Sequence, residues 1–450
     1  MAQITDFLKA QHVAATRAGP APHAALGKRF DMKAPRRPTG WIVPCLLFFL
    51  VLLLAGDLQA FRLGNTSIIP SLELYGTYDD NVLLRSEDDP EGPIVDDWIG
   101  RIVPGVLLTR REGSTDFSLL YQNEFLLHWE LTEEDVKGSN HSAMLSAAHS
   151  FGERTSIAIS DRFRMGTEVS SISEVGLEDI TALGILPRNR DYRINGAGIQ
   201  LDHALTRRLQ LSGALDYQYQ FYDSVQEAGA EVEPETENHL GTVSTTVSYA
   251  VHPRNSVMAS VGFSYNDYDQ QGKSRIYLAS LGDSWQATDS LSLSGSGGIQ
   301  YLDAENELEA TTTTDTSIHP YADLGATYAY QDFRFLLSFL YGLEDSSGLG
   351  TTVMSGSVRF GVDYMAWERF TAHVFGFYSK SDSAEEIEGR TVQDIESIQG
   401  GCSFDYLLQP WISARLEYNY IDQDASGVSG GSFKDNRVLM GFVLSIPDRM

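Results

Sequence analysis

The chain has 450 residues, with 33 Lys and Arg against 61 Asp and Glu, a net charge of −28, 40 Gly, 21 Tyr, 21 Phe and 2 Cys. Two cysteines exclude a disulfide scaffold or a multi-cysteine zinc protein, and the acidic balance has the wrong sign for gripping nucleic-acid phosphates. A hydrophobic fraction of 42% argues against disorder, a negative mean hydropathy argues against a bundle of apolar membrane helices, and Gly with aromatics points to strands.

The first element is an apolar run from Trp41 to Gly56, preceded by Lys33, Arg36 and Arg37 and followed by Leu58-Gln59-Ala60. A basic flank, a short greasy stretch and small residues before a cut predict a secretory signal cleaved after Ala60. Met32 as a start would give that signal ordinary length. Cys45 lies inside the apolar run with no small residues before it, so a lipoprotein cut is not expected there. The expected organisation is therefore an extension and signal over 1–60, then one domain over 61–450. Cleavage takes seven basic residues from the 33 and three acidic ones from the 61, which leaves 26 against 58 and a net charge near −32.

After Phe61 the apolar pattern has period two, the mark of strands with one greasy and one wet face. It predicts eighteen strands: 70–78, 98–110, 115–129, 140–151, 155–165, 192–206, 209–222, 239–251, 255–267, 275–287, 291–303, 316–330, 333–344, 352–365, 370–380, 394–408, 411–422 and 436–446. The run Leu209, Leu211, Gly213, Leu215, Tyr217, Tyr219, Phe221 is the cleanest, alternating with Gln210, Ser212, Ala214, Asp216, Gln218 and Gln220. Connectors after even-numbered strands are short, such as Arg111-Glu112-Gly113, Thr206-Arg207-Arg208 and Gln331-Asp332. Those after odd-numbered strands are mostly longer and polar, the longest over 79–97, 166–191 and 223–238. Short turns on one side, long loops on the other and an even strand count predict an all-β, antiparallel up-and-down transmembrane barrel with periplasmic turns and extracellular loops. Closure also removes edges that eighteen soluble strands could not hide.

Aromatic positions agree with that reading. Trp285, Trp367 and Trp411 sit beside short turns, and Trp98 and Trp129 at long-loop ends, as girdles at two membrane interfaces would. If the apolar faces meet lipid, the polar faces line a lumen; the candidate lining residues are Gln122, Glu124, Arg162, Arg164, Asp216, Gln218, Gln220, Arg359, Asp363, Arg415 and Glu417. Arg162 with Arg164 is the densest basic spot. A barrel of this size is wide enough for an aqueous channel, although the same residues would also solvate a plugged interior.

Catalytic and metal chemistry find little support. His141, His149, His203, His239 and His319 fall near strand ends with serines nearby, but there is no nucleophile elbow and no paired-His metal motif. Asp422-Gln423-Asp424-Ala425-Ser426-Gly427 copies the first half of a calcium loop, yet Phe433 stands where a bidentate Glu belongs; a flexible outer loop is expected there. Asp161 and Asp283 fall on the nominal lipid face, which suggests a parity shift or an interfacial position.

The opening Tyr78-Asp79-Asp80-Asn81 element and the Pro104-Gly105 pair, within strands that begin Ile69-Pro70-Ser71 and Asp97-Trp98-Ile99, resemble the outer-membrane porins of the "beta-barrel porin 2" type. The resemblance implies a barrel over the whole mature chain and an association with exopolysaccharide or exosortase systems. The chain departs from many outer-membrane barrels in ending on Pro447-Asp448-Arg449-Met450 rather than an aromatic. The expectation is a non-enzymatic pore in the Gram-negative outer membrane, passing polar solutes or exporting a polysaccharide. A non-conducting surface barrel is the first alternative and a wall-site hydrolase the second. Expected partners are outer-membrane lipid and lipopolysaccharide, a polar solute or polysaccharide, and the barrel-assembly machinery, with no nucleic acid, cofactor or metal.

Overall fold

The computed structural model describes residues 61–82, 94–129, 131, 139–166, 191–223, 236–268, 272–308, 311–346, 351–365, 367–383, 394–426 and 432–445. The segment expected to be a signal, 1–60, and the middles of the longest connectors lie outside the described residues. Within them the chain is strand throughout: a three-residue β1 (Phe61–Leu63), then β2 (Thr66–Asp79), β3 (Asp97–Glu112), β4 (Thr115–His128), β5 (Ser139–Phe151), β6 (Thr155–Gly166), β7 (Tyr192–Ala204), β8 (Leu209–Tyr222), β9 (Thr236–His252) and β10 (Asn255–Tyr268). These are followed by β11 (Gly272–Gln286), β12 (Leu291–Leu308), β13 (Thr311–Tyr330), β14 (Phe333–Ser346), β15 (Thr351–Tyr364), β16 (Phe370–Ser383), β17 (Asp394–Gln409), β18 (Ile412–Ser426) and β19 (Phe433–Ser445).

Each strand from β2 to β19 pairs antiparallel with its chain neighbours. The ring closes where β19 meets β2, from Arg437↔Asp79 to Ser445↔Ser71. Eighteen strands therefore form one closed barrel, as the connector pattern predicts. Closure gives every strand from β2 to β19 a partner on both sides, which is what a sheet in hydrocarbon requires. The short β1 is the addition that periodicity missed. It pairs Phe61↔Ile68 and Leu63↔Thr66 on the edge of β2 that β19 leaves open below Ser71, since β3 holds the other edge from Thr66 onward.

The short turns are tight for reasons written in their sequences. Gly113 and Gly152 hold φ of 58° and 70°, where a side chain is costly. Thr206 Oγ1 accepts from the N–H groups of Arg208 and Leu209 at 3.1 and 3.0 Å, and Thr288 Oγ1 does the same for Ser290 and Leu291 at 3.2 and 2.9 Å. Two turns thus reuse one hydroxyl device, in which Thr replaces a missing backbone acceptor.

Large apolar side chains are exposed on one face of the ring, among them Leu215, Val261, Leu281, Ile299, Leu324, Phe360 and Met440. Near the turns Tyr328, Tyr330, Phe333, Phe335 and Tyr364 stack as a belt. Near the loop ends Tyr265 and Tyr420 donate to Asp267 and Asp422 at 3.1 and 3.0 Å. Trp98, Trp129, Trp285, Trp367 and Trp411 are exposed at the two ends where the sequence puts them. A closed ring that is apolar outside and wet inside is the outer-membrane architecture; the protein is a multi-pass β-barrel of the Gram-negative outer membrane.

Two expectations need correction. The stretch 304–315 reads as a polar loop, but β12 and β13 continue through it and pair as far as Leu308↔Thr311. The calcium-like Asp422 to Ser426 is not a loop either; it is the outer end of β18, paired with β17 from Ile398↔Asp422 to Asp394↔Ser426. Strand that rises above the membrane needs no apolar face, so alternation fades while the ladder persists. Asp161 and Asp283 show no parity shift. Both face outward, Asp161 accepting from Asn195 Nδ2 at 3.3 Å and Asp283 from Asn255 Nδ2 at 2.9 Å.

Candidate functional site: the barrel interior

Cross-strand partners share a face, so register carries the inside of the barrel from strand to strand. Every predicted lining residue falls on the face opposite the exposed apolar side chains: Gln122 and Glu124 on β4, Arg162 and Arg164 on β6, Asp216, Gln218 and Gln220 on β8, Arg359 and Asp363 on β15, Arg415 and Glu417 on β18. They do not form one site. The interior divides into arcs of different chemistry.

The arc around the seam is ionic. Arg101 and Glu124 form a buried pair, and Asn140 Nδ2 donates to the second carboxylate oxygen at 2.9 Å. Glu73 accepts from Tyr75 and, at 3.2 Å, from Gln122 Nε2. Arg415 meets Asp405 at 2.9 Å, and Asn419 donates to Glu417 at 2.7 Å. At the outer end Arg437 lies 2.7 Å from Asp79 and 2.9 Å from Asp435, all three buried. The adjacent Asp80 accepts from the Asn436 backbone and side-chain amide at 2.7 and 2.8 Å. Asp79, Asp80 and Asp435 bring three carboxylates within 4.8 Å of one another, with the Arg437 guanidinium as the cation beside two of them. Buried charges are tolerable only when paired in this way.

Sequence reasoning missed Arg101, Asp79 and Arg437 as lumen residues. Arg101 shares its inward face with buried Ile99 and Val103, so alternation on β3 does not reveal which face is wet. Asp79 had a signal, since it sits inside the Tyr78–Asn81 element that carries the resemblance.

The arc on the other side is neutral. Among the described residues, the inward positions of β9 to β12 carry no charged side chain; they run through Thr242, Ser244, Thr246 and Ser248, then Ser256, Ser260 and Ser264, then Ser280 and Ser284, then Ser292, Ser294 and Ser296. Some of these hydroxyls bond across strands, Thr242 to Ser264 at 3.1 Å and Thr246 to Ser260 at 2.8 Å.

Between the arcs the wall has a depression lined by Arg162, Arg164, Asp216, Gln218, Ser160 and Thr242, with Gly196 and Gly198 of β7 at its floor. A Cβ at Gly198 would lie 2.7 Å from Asp216 Oδ1 and 3.0 Å from Ser160 Oγ. Glycine is what lets β6 and β8 lean together there. The structure thus brings Arg162, Arg164, Asp216 and Gln218 to one place and leaves Arg359, Asp363, Arg415 and Glu417 on other strands.

Four histidines near strand ends are engaged by Thr or Tyr hydroxyls, while His128 lies 2.8 Å from Asp97 and His239 also 3.3 Å from Glu237. His149, His203, His141 and His239 bond Thr115, Thr155, Tyr121 and Tyr217 at 2.7 to 3.0 Å. Ser317 lies 2.7 Å from His319, with no carboxylate bonded to that ring among the described residues. His373 does bond a carboxylate, Asp363 at 2.6 Å, and Ser403 is its cross-strand neighbour, but no hydrogen bond joins His373 to Ser403. A triad needs both contacts.

No known family model matches the chain, and no curated protein matches it. Solved structures similar to it are outer-membrane barrels. The ferric-catecholate import receptor Fiu from E. coli K12 aligns at 9% identity with a TM-score of 0.47, covering 86% of this chain and 82% of that one. The FrpB iron transporter from Neisseria meningitidis aligns at 10% and 0.45, covering 79% and 63%. OpdK from Pseudomonas aeruginosa, solved with vanillate, aligns at 14% and 0.43, covering 84% and 98%. These figures do not carry a substrate across to this chain.

Proposed function

We propose that the barrel is a pore for polar solutes across the outer membrane. The observation that supports this most is the neutral hydroxyl arc on β9 to β12. Ser and Thr hydroxyls both donate and accept, so a hydrated solute can exchange partners along the wall without paying to strip a fixed charge. The finer reading, export of an exopolysaccharide, rests on the resemblance of Tyr78–Asn81 and Pro104–Gly105 to the porin group named above. The acidic mature chain favours cations over anions at the mouth. Planar-bilayer recording of the refolded protein tests the pore: discrete, cation-preferring conductance steps are expected, and a protein that inserts yet never conducts overturns it. Arg162→Glu with Arg164→Glu is expected to raise the preference for cations; unchanged selectivity denies those residues a part in permeation. Mass spectrometry of the exported protein is expected to find Phe61 at the mature N-terminus.

A second reading, a plugged surface-binding barrel, has its own support. Inward residues toward the loop end are buried, including Gln220, Leu302, Ile421 and Gln423, so the lumen is narrower there than at the turn end. The same recording separates the two readings.

A further inference from the structure

The wall of the barrel is broken at one place. β12 and β13 remain paired to their outer tips, but β13 leaves β14 beyond Ala322↔Tyr341. Pro320, which has no N–H to offer, lies just past that last pair. β14 and β15 stay paired with each other up to Ser346↔Thr351, so the outer half of this hairpin has lost one neighbour while remaining intact.

The lost neighbour is replaced by one side chain. Gln300 of β12 reaches past β13 and closes a two-way pair with the backbone of Leu343: the Leu343 N–H donates to Oε1 at 2.6 Å, and Nε2 donates to the Leu343 carbonyl at 3.2 Å. A primary amide has the same donor and acceptor as a peptide group, so it satisfies both backbone groups that β13 abandons. Gly342 makes room for it; a Cβ there would sit 2.6 Å from Gln300 Oε1.

Register shows which way the hairpin goes. Ile276, Leu302 and Ala304 belong to the inward face of β11 and β12, whereas Leu343 and Met354 belong to the outward face of β14 and β15, and these residues form one buried cluster. Ser274 of β11 accepts from Thr352 of β15 at 2.9 Å although the two strands are four places apart in the ring. The outer face of one hairpin can meet the inner face of another part of the wall only if that hairpin has folded into the lumen.

We propose that the outer half of the β14–β15 hairpin is the constriction that sets the size limit of the lumen, and that Gln300 is the positioning residue that holds it there. This rests on the pore reading and specifies where that pore is narrowest. It makes selection by size a property of the wall itself rather than of an outer loop.

The test uses the full-length protein refolded into planar bilayers, with polyethylene glycols of graded size as probes. Gln300→Met keeps the length and removes both hydrogen bonds; it is expected to give about a two-fold larger unit conductance and to admit larger polymers, as loss of the narrowest segment would. Gln300→Glu keeps the acceptor for the Leu343 N–H but not the donor, and is expected to fall between. Ser274→Cys with Thr352→Cys, added to Gln300→Met in a Cys402→Ser background, pins the hairpin: oxidised, it conducts like the parent, and reduced, like Gln300→Met. If Gln300→Met does not fold, the cysteine pair is placed on Gln300→Glu and decides alone, and equal conductance in its two redox states overturns the proposal. A conducting parent with an unchanged Gln300→Met variant overturns the constriction and leaves the pore standing. A silent parent with a conducting Gln300→Met supports the constriction and shows that it closes the resting lumen. Silence of every variant overturns both.

Discussion

At the scale of single residues the interior separates groups that tolerate change from groups that do not. Glu124 is buried against Arg101 and takes one further bond from Asn140. Arg101→Leu would strand that carboxylate, and the expected cost is about 3–5 kcal/mol, read as a lower urea midpoint of the refolded barrel. Arg111, whose pair with Asp116 lies at an exposed turn, is the contrast: Arg111→Ala is expected to leave the urea midpoint almost unchanged. Trp367 holds φ of 62° in its turn, a conformation that costs an L-residue about 1–2 kcal/mol. Trp367→Gly is expected to stabilise the barrel unless the exposed indole anchors it in the bilayer. Urea midpoints in detergent and in lipid vesicles will differ for this variant if the anchor is real, and agree if it is not. Facing direction is written in the alternation at this scale: the eleven candidate lining residues share the face opposite the exposed apolar side chains. Pairing is not, because which acid meets which base depends on register between strands, and a single sequence does not state it.

Secondary-structure elements were legible within the membrane and not above it. Eighteen runs of alternating residues matched eighteen barrel strands, because each strand must present an apolar face to lipid. The stretch Ala304-Glu305-Asn306-Glu307-Leu308-Glu309-Ala310-Thr311 has no such face, so the outer β12–β13 arm looked like a loop. The ladder between β12 and β13 explains its persistence: backbone pairing and Thr-rich propensity suffice once lipid is left behind. Because β14 does not pair with this arm, replacing residues 305–314 with Asn-Gly is expected to leave the barrel folded, as judged by retention of a heat-modifiable band on gels. Loss of that band would mean that the arm supports the wall. Gln300 itself could not be found from sequence. It sits at an ordinary inward position of a Ser-rich strand, and only the departure of β13 gives its amide something to do.

For the whole molecule, a seam of ion pairs on β2 to β5 and β17 to β19 gathers fixed charge on one side of the lumen. The inner face of β9 to β12 is uncharged among the described residues. A permeating ion therefore meets fixed charges on one side and rotatable hydroxyls on the other, and unequal permeability of equally sized cations and neutral sugars is expected in vesicle-swelling assays. Equal rates would mean that the seam charges are fully neutralised by one another.

The seam also dictates how the protein must come into being. The pair that closes the ring, Arg437 with Asp79, joins the last barrel strand to the first, so the barrel strand synthesised last is the one the first waits for. Until then β2 and the growing edge both expose unpaired backbone, an invitation to mispairing with other chains. Sequence separation of this size makes ring closure intrinsically slow in free solution. Assembly is thus all or nothing in its final step, and a chain truncated before Phe433 is expected to reach the membrane as an open sheet that proteases remove. The architecture that gives every strand two neighbours in the finished barrel imposes a vulnerable interval on the unfinished one.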